Sequence, residues 1–406
     1  MALVDMRDML HHAYENSYAV GAFDLVSLDF LEAVIDAAER CRAPVILSVA
    51  EPHFAHYDFE LMMPAVEAAA RRADVPVAIQ LDHGRSVESA VVAIRLGCNG
   101  VMLDASGFRL PDNVRATRAV VEMAHGCGIP VVGEVGYVAG LEGEGAEIHP
   151  GETALTIPSE AKAFVERTGV DFLAVSIGTV QGRMKGRAKL DFQRLRQLHK
   201  LVSVPLVIHG GSGLNEDQFR RLTAMGVAKI NYFTALSDVA ADAMRARAEG
   251  DRHGSFTDLK HDVKDAIRAE VERCLRLWGT AGRAAEVLAR CRSMAAVERL
   301  FIAEFPGMDA SELEHWARRA KLRMAAIPGV REIFLGEDEE ARASRRMCWR
   351  VRFVNAVAAK GFLEHPEFRT CMRESFNQLG QGRLASSFVE ISDGEGLPAA
   401  RPVLSP

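Results

Sequence analysis

Two histidines and several carboxylates stand at the ends of short β-branched runs in this sequence: His83 and His209, with Asp82, Asp104 and Glu134. Imidazole nitrogen suits zinc or another borderline divalent ion, and carboxylate oxygen can complete such a site. A single strand-end histidine is more often a hydrogen-bonded structural residue, and a strand-end carboxylate often caps a helix or joins an ion pair. Taken together, the five form a cluster of the kind that binds metal. A second chemistry is anion binding. In HGGSGL (209–214), Gly210, Gly211 and Gly213 let backbone N–H groups approach an anion and Ser212 adds a hydroxyl. A helix expected from near Asn215 contributes its positive end. Read alone, the tetrapeptide is equally well a tight turn. Its placement before KINYFT (229–234) favours a phosphate.

These residues need a scaffold that gathers them. Eight short runs alternate with helical patterns: 18–23, 44–49, 76–83, 100–106, 130–136, 172–179, 205–213 and 228–234, with helices expected over 28–41, 87–96, 113–127 and 192–201. Repeated βα units imply a parallel sheet, open or closed. Asp82, His83, Asp104, Glu134, Gln181, His209 and Asn231 all fall at or just beyond the ends of strands three to eight, where a closed barrel converges its loops and an open sheet does not. The fold expected is therefore a TIM (β/α)₈ barrel over 1–280, closed by a helix over 258–278. A linker follows over 281–294, hinged near Gly279 and Gly282. The next pattern is β-α-β-β-α-β, with strands at 297–305, 330–335, 348–354 and 385–391 and helices at 309–325 and 356–373. That order marks a smaller α+β ferredoxin-like domain over 295–392. The Gly- and Pro-rich tail, 393–406, is expected to be disordered.

At 406 residues the chain exceeds what one core usually organises. No apolar run is long enough for a membrane span, and the N-terminus lacks a leader's basic and apolar segments, so a cytoplasmic location is expected. The net charge of −6 leaves no broad basic footprint for nucleic acid. Seven scattered cysteines without a C-x-x-C pair argue against a disulfide framework or structural zinc.

Six motifs in order, AIQLDHGRS (78–86), VMLDAS (101–106), VVGEVGYVAGLEGE (131–144), IGTVQGRMKG (177–186), VIHGGSGL (207–214) and KINYFT, resemble the class II ketose-bisphosphate aldolases of the fructose- and tagatose-bisphosphate type. The resemblance implies a zinc ion, or another divalent cation, that polarises the ketose carbonyl and stabilises the enediolate. It makes His83 and His209 ligands and Asp82 the acid/base at the cleaved bond. Asp104 and Glu134 become carboxylates near the metal, holding an alternative ion position or orienting ligands. Gly182, Lys185, Gly210, Gly211, Ser212, Asn231 and Thr234 match positions for phosphate, a monovalent cation and the dihydroxyacetone part. Glu142 or Glu144 matches a mobile acidic loop that exchanges the enediolate proton.

The departures are specific. The third zinc histidine of the family is Gln181 here, a poorer ligand, so metal is expected to be held weakly unless Glu134 or Asp104 compensates. The usual asparagine after strand one is Asp24, a further carboxylate near the substrate. Met184, Tyr232 and Phe233 also differ from the family pattern, which argues against ordinary glycolytic fructose-bisphosphate cleavage. IPGVREIFLGED (327–338), CWRVRF (348–353) and FLEHPEF (362–368) resemble the stress-responsive A/B barrel domains, which pair through their sheets. His365 is read there as a capping or packing residue. The function expected is a metal-dependent lyase for reversible aldol cleavage of a phosphorylated ketose, in a homodimer or homotetramer. The alternative is a noncatalytic phosphosugar-binding or regulatory protein that has lost full zinc-site function through Gln181.

Overall fold

A computed structural model describes residues 2–138, 147–148, 154–184, 189–250, 253–305, 309–337, 346–379 and 384–389. Glu142, Glu144, Lys185 and the tail expected over 393–406 lie outside the described residues. The chain divides into two compact units, one running from the N-terminus to His125 and over Ile129–Ser293, the other taking Gly126–Gly128 and the described residues from Met294 onward.

In the first unit, β1 (Val20–Asp24), β2 (Val45–Ala50), β3 (Val77–Gly84), β4 (Gly100–Leu103), β5 (Val131–Val135), β6 (Phe172–Val175), β7 (Leu206–Ile208) and β8 (Val227–Tyr232) form a closed parallel barrel. Each pairs with its sequence neighbour, and β1 pairs with β8 to close the ring. The strands are buried along their whole length, which is why they read as apolar runs rather than as alternation. Ala22, Ile46, Ala78, Met102, Val132, Ala174, Val207 and Ala228 fill the interior. One element not foreseen is the helix Met6–Glu15. Its Met6, Met9, Leu10 and Ala13, spaced i, i+3, i+4 and i+7, bury one stripe in the same core.

Of the stretch expected as a linker, 281–294, all but Met294 packs with this unit. Helix Ala284–Arg290 places Val287 in the barrel core. Beyond it, Arg292 bonds Asp8 at 2.9 Å and Asp5 at 2.7 Å, and Ser293 bridges Val4.

The second unit is a four-stranded antiparallel sheet of β9 (Val297–Glu304), β10 (Val330–Glu337), β11 (Arg346–Phe353) and β12 (Leu384–Val389), in the order β10-β11-β9-β12. Helix Ala310–Ala325 opens on Asp309, whose carboxylate accepts from the Ser311 N–H at 2.8 Å. The helix expected over 356–373 is two helices, Ala356–Glu364 and Pro366–Leu379. Pro366 has no N–H to continue the first and forces His365 to an extended conformation (φ −63°, ψ 133°), so His365 caps the break. Phe301, Trp316, Trp349, Phe353, Phe362 and Phe368 form the core. Among the described residues no helix is long and apolar enough to cross a membrane.

Candidate functional site

Two breaks in strand regularity build the site. Along β3 the register with β4 shifts between Leu81 and Gly84, and His83 takes a positive φ of 46°. In a regular strand Asp82 and His83 would face opposite sides. The left-handed residue turns both side chains into the barrel mouth, a strained conformation that the surrounding contacts hold in place. In β8 the register with β7 shifts between Val227 and Lys229. This bulge lets Ala228 fill the core while Lys229 and Asn231 also face inward.

His83 is the hub. Its Nδ1 lies 2.7 Å from Asp104 Oδ2, while its Nε2 faces His209 Nδ1 at 3.1 Å, Gln181 Nε2 at 2.9 Å and Asp82 Oδ2 at 3.8 Å. Asp104 is fixed in turn by Ser106, whose hydroxyl and N–H donate to Oδ1 at 2.7 and 3.1 Å. Asp82 accepts from Gln80 Nε2 at 3.0 Å and from Asn231 Nδ2, and its Oδ1 lies 3.9 Å from the fully buried Lys229 ammonium. Glu134 is buried beside this group, and its Oε2 has no hydrogen-bond partner among the described residues.

The charges are mutually dependent. Burial alone would lower the His83 imidazole, but the Asp82 and Asp104 carboxylates outweigh it and push it up to about 10. Burial would raise Asp104, yet hydrogen bonds from His83 and Ser106 hold it well below the usual carboxylate range. Asp82 is likewise lowered against burial by Lys229 and the two histidines. Burial pushes His209 down to about 3, and burial with the nearby Asp104 pushes Glu134 up to about 8. Burial and the Asp82 charge raise Asp24.

Two donor sets meet at His83, Asp82 with His83 and His209, and His83 with Asp104 and Glu134; within each set the ligand atoms are within 4.8 Å of one another. Tetrahedral zinc with bonds near 2.0–2.1 Å sets its ligand atoms about 3.3 Å apart, close to the separation of the two imidazole nitrogens. The donor set fits a divalent cation, and the Gln181 amide turns toward it.

The other predicted residues gather on the β6–β8 side. Gly210 (φ +71°) lies so close to the Gln181 loop that a Cβ there would collide with the Val180 carbonyl. Ser212 Oγ accepts from the Ala235 N–H at 3.1 Å, tying the Gly-rich turn to the helix that begins at Thr234. The next helix, Glu216–Thr223, carries the expected cap at Asn215. Gly182 is buried, and Gly211 packs near Ile230 and Tyr232. Asp24 ends β1, fully buried.

Sequence reasoning missed Gln80 and Lys229. Gln80 could have been found from its i, i+2 relation to Asp82. Lys229 could have been found in the same way, from its i, i+2 relation to Asn231.

A family model for fructose-bisphosphate aldolase class-II matches residues 4–283. The chain is 36% identical to the fructose-bisphosphate aldolase of Thermus caldophilus and 37% to that of Geobacillus stearothermophilus, in each case over 70% of this chain and all of the relative. The crystal structure of the YdjI aldolase from Escherichia coli K12 superposes with a TM-score of 0.62 at 34% identity, covering 70% of this chain and 99% of that one. The fructose-bisphosphate aldolase of Campylobacter jejuni, at 19% identity and a TM-score of 0.59 over 69% of this chain and 96% of that one, shares the fold.

Proposed function

Because the chain belongs to the class II fructose-bisphosphate aldolase family, we propose that its barrel is a metal-dependent lyase that makes and breaks a carbon–carbon bond of a phosphorylated ketose. The observation that carries this reading is the convergence of His83 Nε2, His209 Nδ1 and Asp82 Oδ2 on one point. His83 and His209 would hold zinc or another divalent cation, with Gln181 and a carboxylate from Asp82, Asp104 or Glu134 beside it. When bound, the cation supplies Lewis-acid polarisation of the carbonyl.

The chain's own residues do the rest. Asp104 orients the His83 ring so that Nε2 faces the site. Asp82, steadied by Gln80 and Asn231, accepts or returns the proton of the hydroxyl at the cleaved bond. Gly182, Gly210, Gly211, Ser212 and Thr234 cradle the phosphate and a monovalent cation, with Lys185 assigned to the same task by its motif. Glu142 or Glu144 exchanges the proton at the carbon that becomes nucleophilic.

The experiment is deuterium exchange into dihydroxyacetone phosphate by the zinc-loaded protein, followed by nuclear magnetic resonance. Exchange that Asp82→Asn leaves intact while condensation with an aldehyde disappears supports the assignment. No exchange, with no stoichiometric metal, favours the noncatalytic phosphosugar-binding reading that Gln181 raises.

For the second unit, the β-α-β-β-α-α-β order supports a ferredoxin-like domain of the A/B barrel type. Leu300 and Ile302 are half-buried and Phe334, under Arg350, is exposed, a face suited to pairing copies of the chain into a homodimer or homotetramer.

A further inference from the structure

On the β1–β2 side of the mouth, next to Asp82, lies a second group of polar atoms. Asp24 ends β1 and stands opposite Ser48 of β2 in the strand register, and both are fully buried. Tyr57 follows the short helix Glu51–Ala55 beyond β2, its hydroxyl buried and its phenol pKa raised first by that burial and then by the Asp24 charge. Both Asp24 carboxylate oxygens, Ser48 Oγ and Tyr57 OH are buried outside strict hydrogen-bonding geometry with any described residue, although the Ser48 hydroxyl stands near enough to Asp24 to favour its ionised form. Polar atoms in such positions are normally satisfied, so unsatisfied oxygens on the adjacent ends of β1 and β2, beside Asp82, indicate that something with hydroxyl groups completes them.

Resting on the aldolase reading, we propose that Asp24, Ser48 and Tyr57 form the subsite for the aldehyde-derived half of the substrate and select an uncharged, hydroxylated end over one bearing a second phosphate. The barrel order places them correctly. The phosphate turn follows β7 and its neighbour β8, and Asp82, at the cleaved bond, ends β3. The Asp24 group lies between them, beside Asp82 and away from Glu134. Carboxylate, serine and phenol together accept and donate to sugar hydroxyls. They bring no positive charge, the nearby Lys229 ammonium already faces Asp82, and a phosphate there would meet the Asp82 carboxylate and the Asp24 carboxyl group together. The substrate class is thus a ketose monophosphate whose far end is a neutral polyol.

Two measurements on the full zinc-loaded chain test this. Calorimetric titration with two unreactive probes, hexitol 1-phosphate and hexitol 1,6-bisphosphate, should show the monophosphate bound at least about tenfold more tightly. Asp24→Asn, which keeps the shape and adds an N–H donor, should cut that preference by at least about tenfold, and Tyr57→Phe should weaken the monophosphate alone. In parallel, condensation of dihydroxyacetone phosphate with glyceraldehyde and with glyceraldehyde 3-phosphate should follow the same order in kcat/KM. Selective binding without condensation keeps the subsite and overturns the aldolase reading. Condensation with equal or reversed selectivity, a preference unmoved by Asp24→Asn, or binding of neither probe, overturns the subsite.

Discussion

Nε2 of His83 and Nδ1 of His209 lie 3.1 Å apart across the barrel mouth, from β3 and the end of β7, and the Gln181 amide closes on the same His83 nitrogen at 2.9 Å. The amide therefore turns toward the two imidazoles rather than away from them. Replacing it by imidazole, Gln181→His, should raise zinc affinity by at least about tenfold, roughly 1.4 kcal/mol. Calorimetric zinc titration of both proteins checks this. Equal affinities would mean the site closes through Asp82, Asp104 or Glu134 instead.

Asp104 holds the site's central imidazole through His83 Nδ1. Asp104→Asn keeps the shape but removes the charge that fixes the ring and its tautomer. Zinc affinity should fall about 10–100-fold, the range for such outer partners, while the thermal midpoint stays near that of the parent. A large loss of stability with unchanged affinity would reassign Asp104 to folding.

Asp171, at the opposite end of the barrel, accepts from Arg7 Nε at 2.7 Å, His125 Nε2 at 2.8 Å and the Val131 N–H at 2.7 Å. Burial opposes its ionisation, but these donors outweigh it and lower its pKa. A carboxyl lowered on folding stabilises fully above its unfolded pKa, about 3.9, and that contribution is lost as pH falls through the lower folded value. Asp171→Asn should therefore cost about 1–3 kcal/mol near neutral pH, and the gap to the parent should close below about pH 4. Denaturant unfolding across pH reads it; a gap that is constant with pH would show that shape, not charge, is what the residue supplies.

The second unit should set the assembly. A chain ending at Ser293 retains Arg292 on Asp5 and Asp8 and Val287 in the core, so the barrel keeps its closure. Light scattering should find this shorter chain at a lower oligomeric state than the full protein. An unchanged mass would place self-association in the barrel.

Much of this was legible in the residue order. β-branched runs set off by proline and glycine mark eight strands because a parallel strand buried on both faces must be apolar throughout. His83, His209, Asp104 and Glu134 were identifiable because each ends such a run, and the loops of a closed barrel meet at those ends. Pro366 in a helical pattern also announced a break that periodicity alone overrode. The plug helix Met6–Glu15 carried its stripe in plain view. Only the tertiary structure decided the rest. Period-two alternation sends Asp82 and His83 to opposite faces, and the left-handed backbone at His83 reverses this. Lys229 lies 3.9 Å from Asp82 because barrel closure turns the inward faces of β8 and β3 to one interior. Asp24 and Ser48 are separated in sequence by the helix Leu28–Cys41, and nothing in their spacing brings them together. Their meeting follows from barrel closure and the register of β1 against β2, properties of strand pairing over distance that no local pattern encodes.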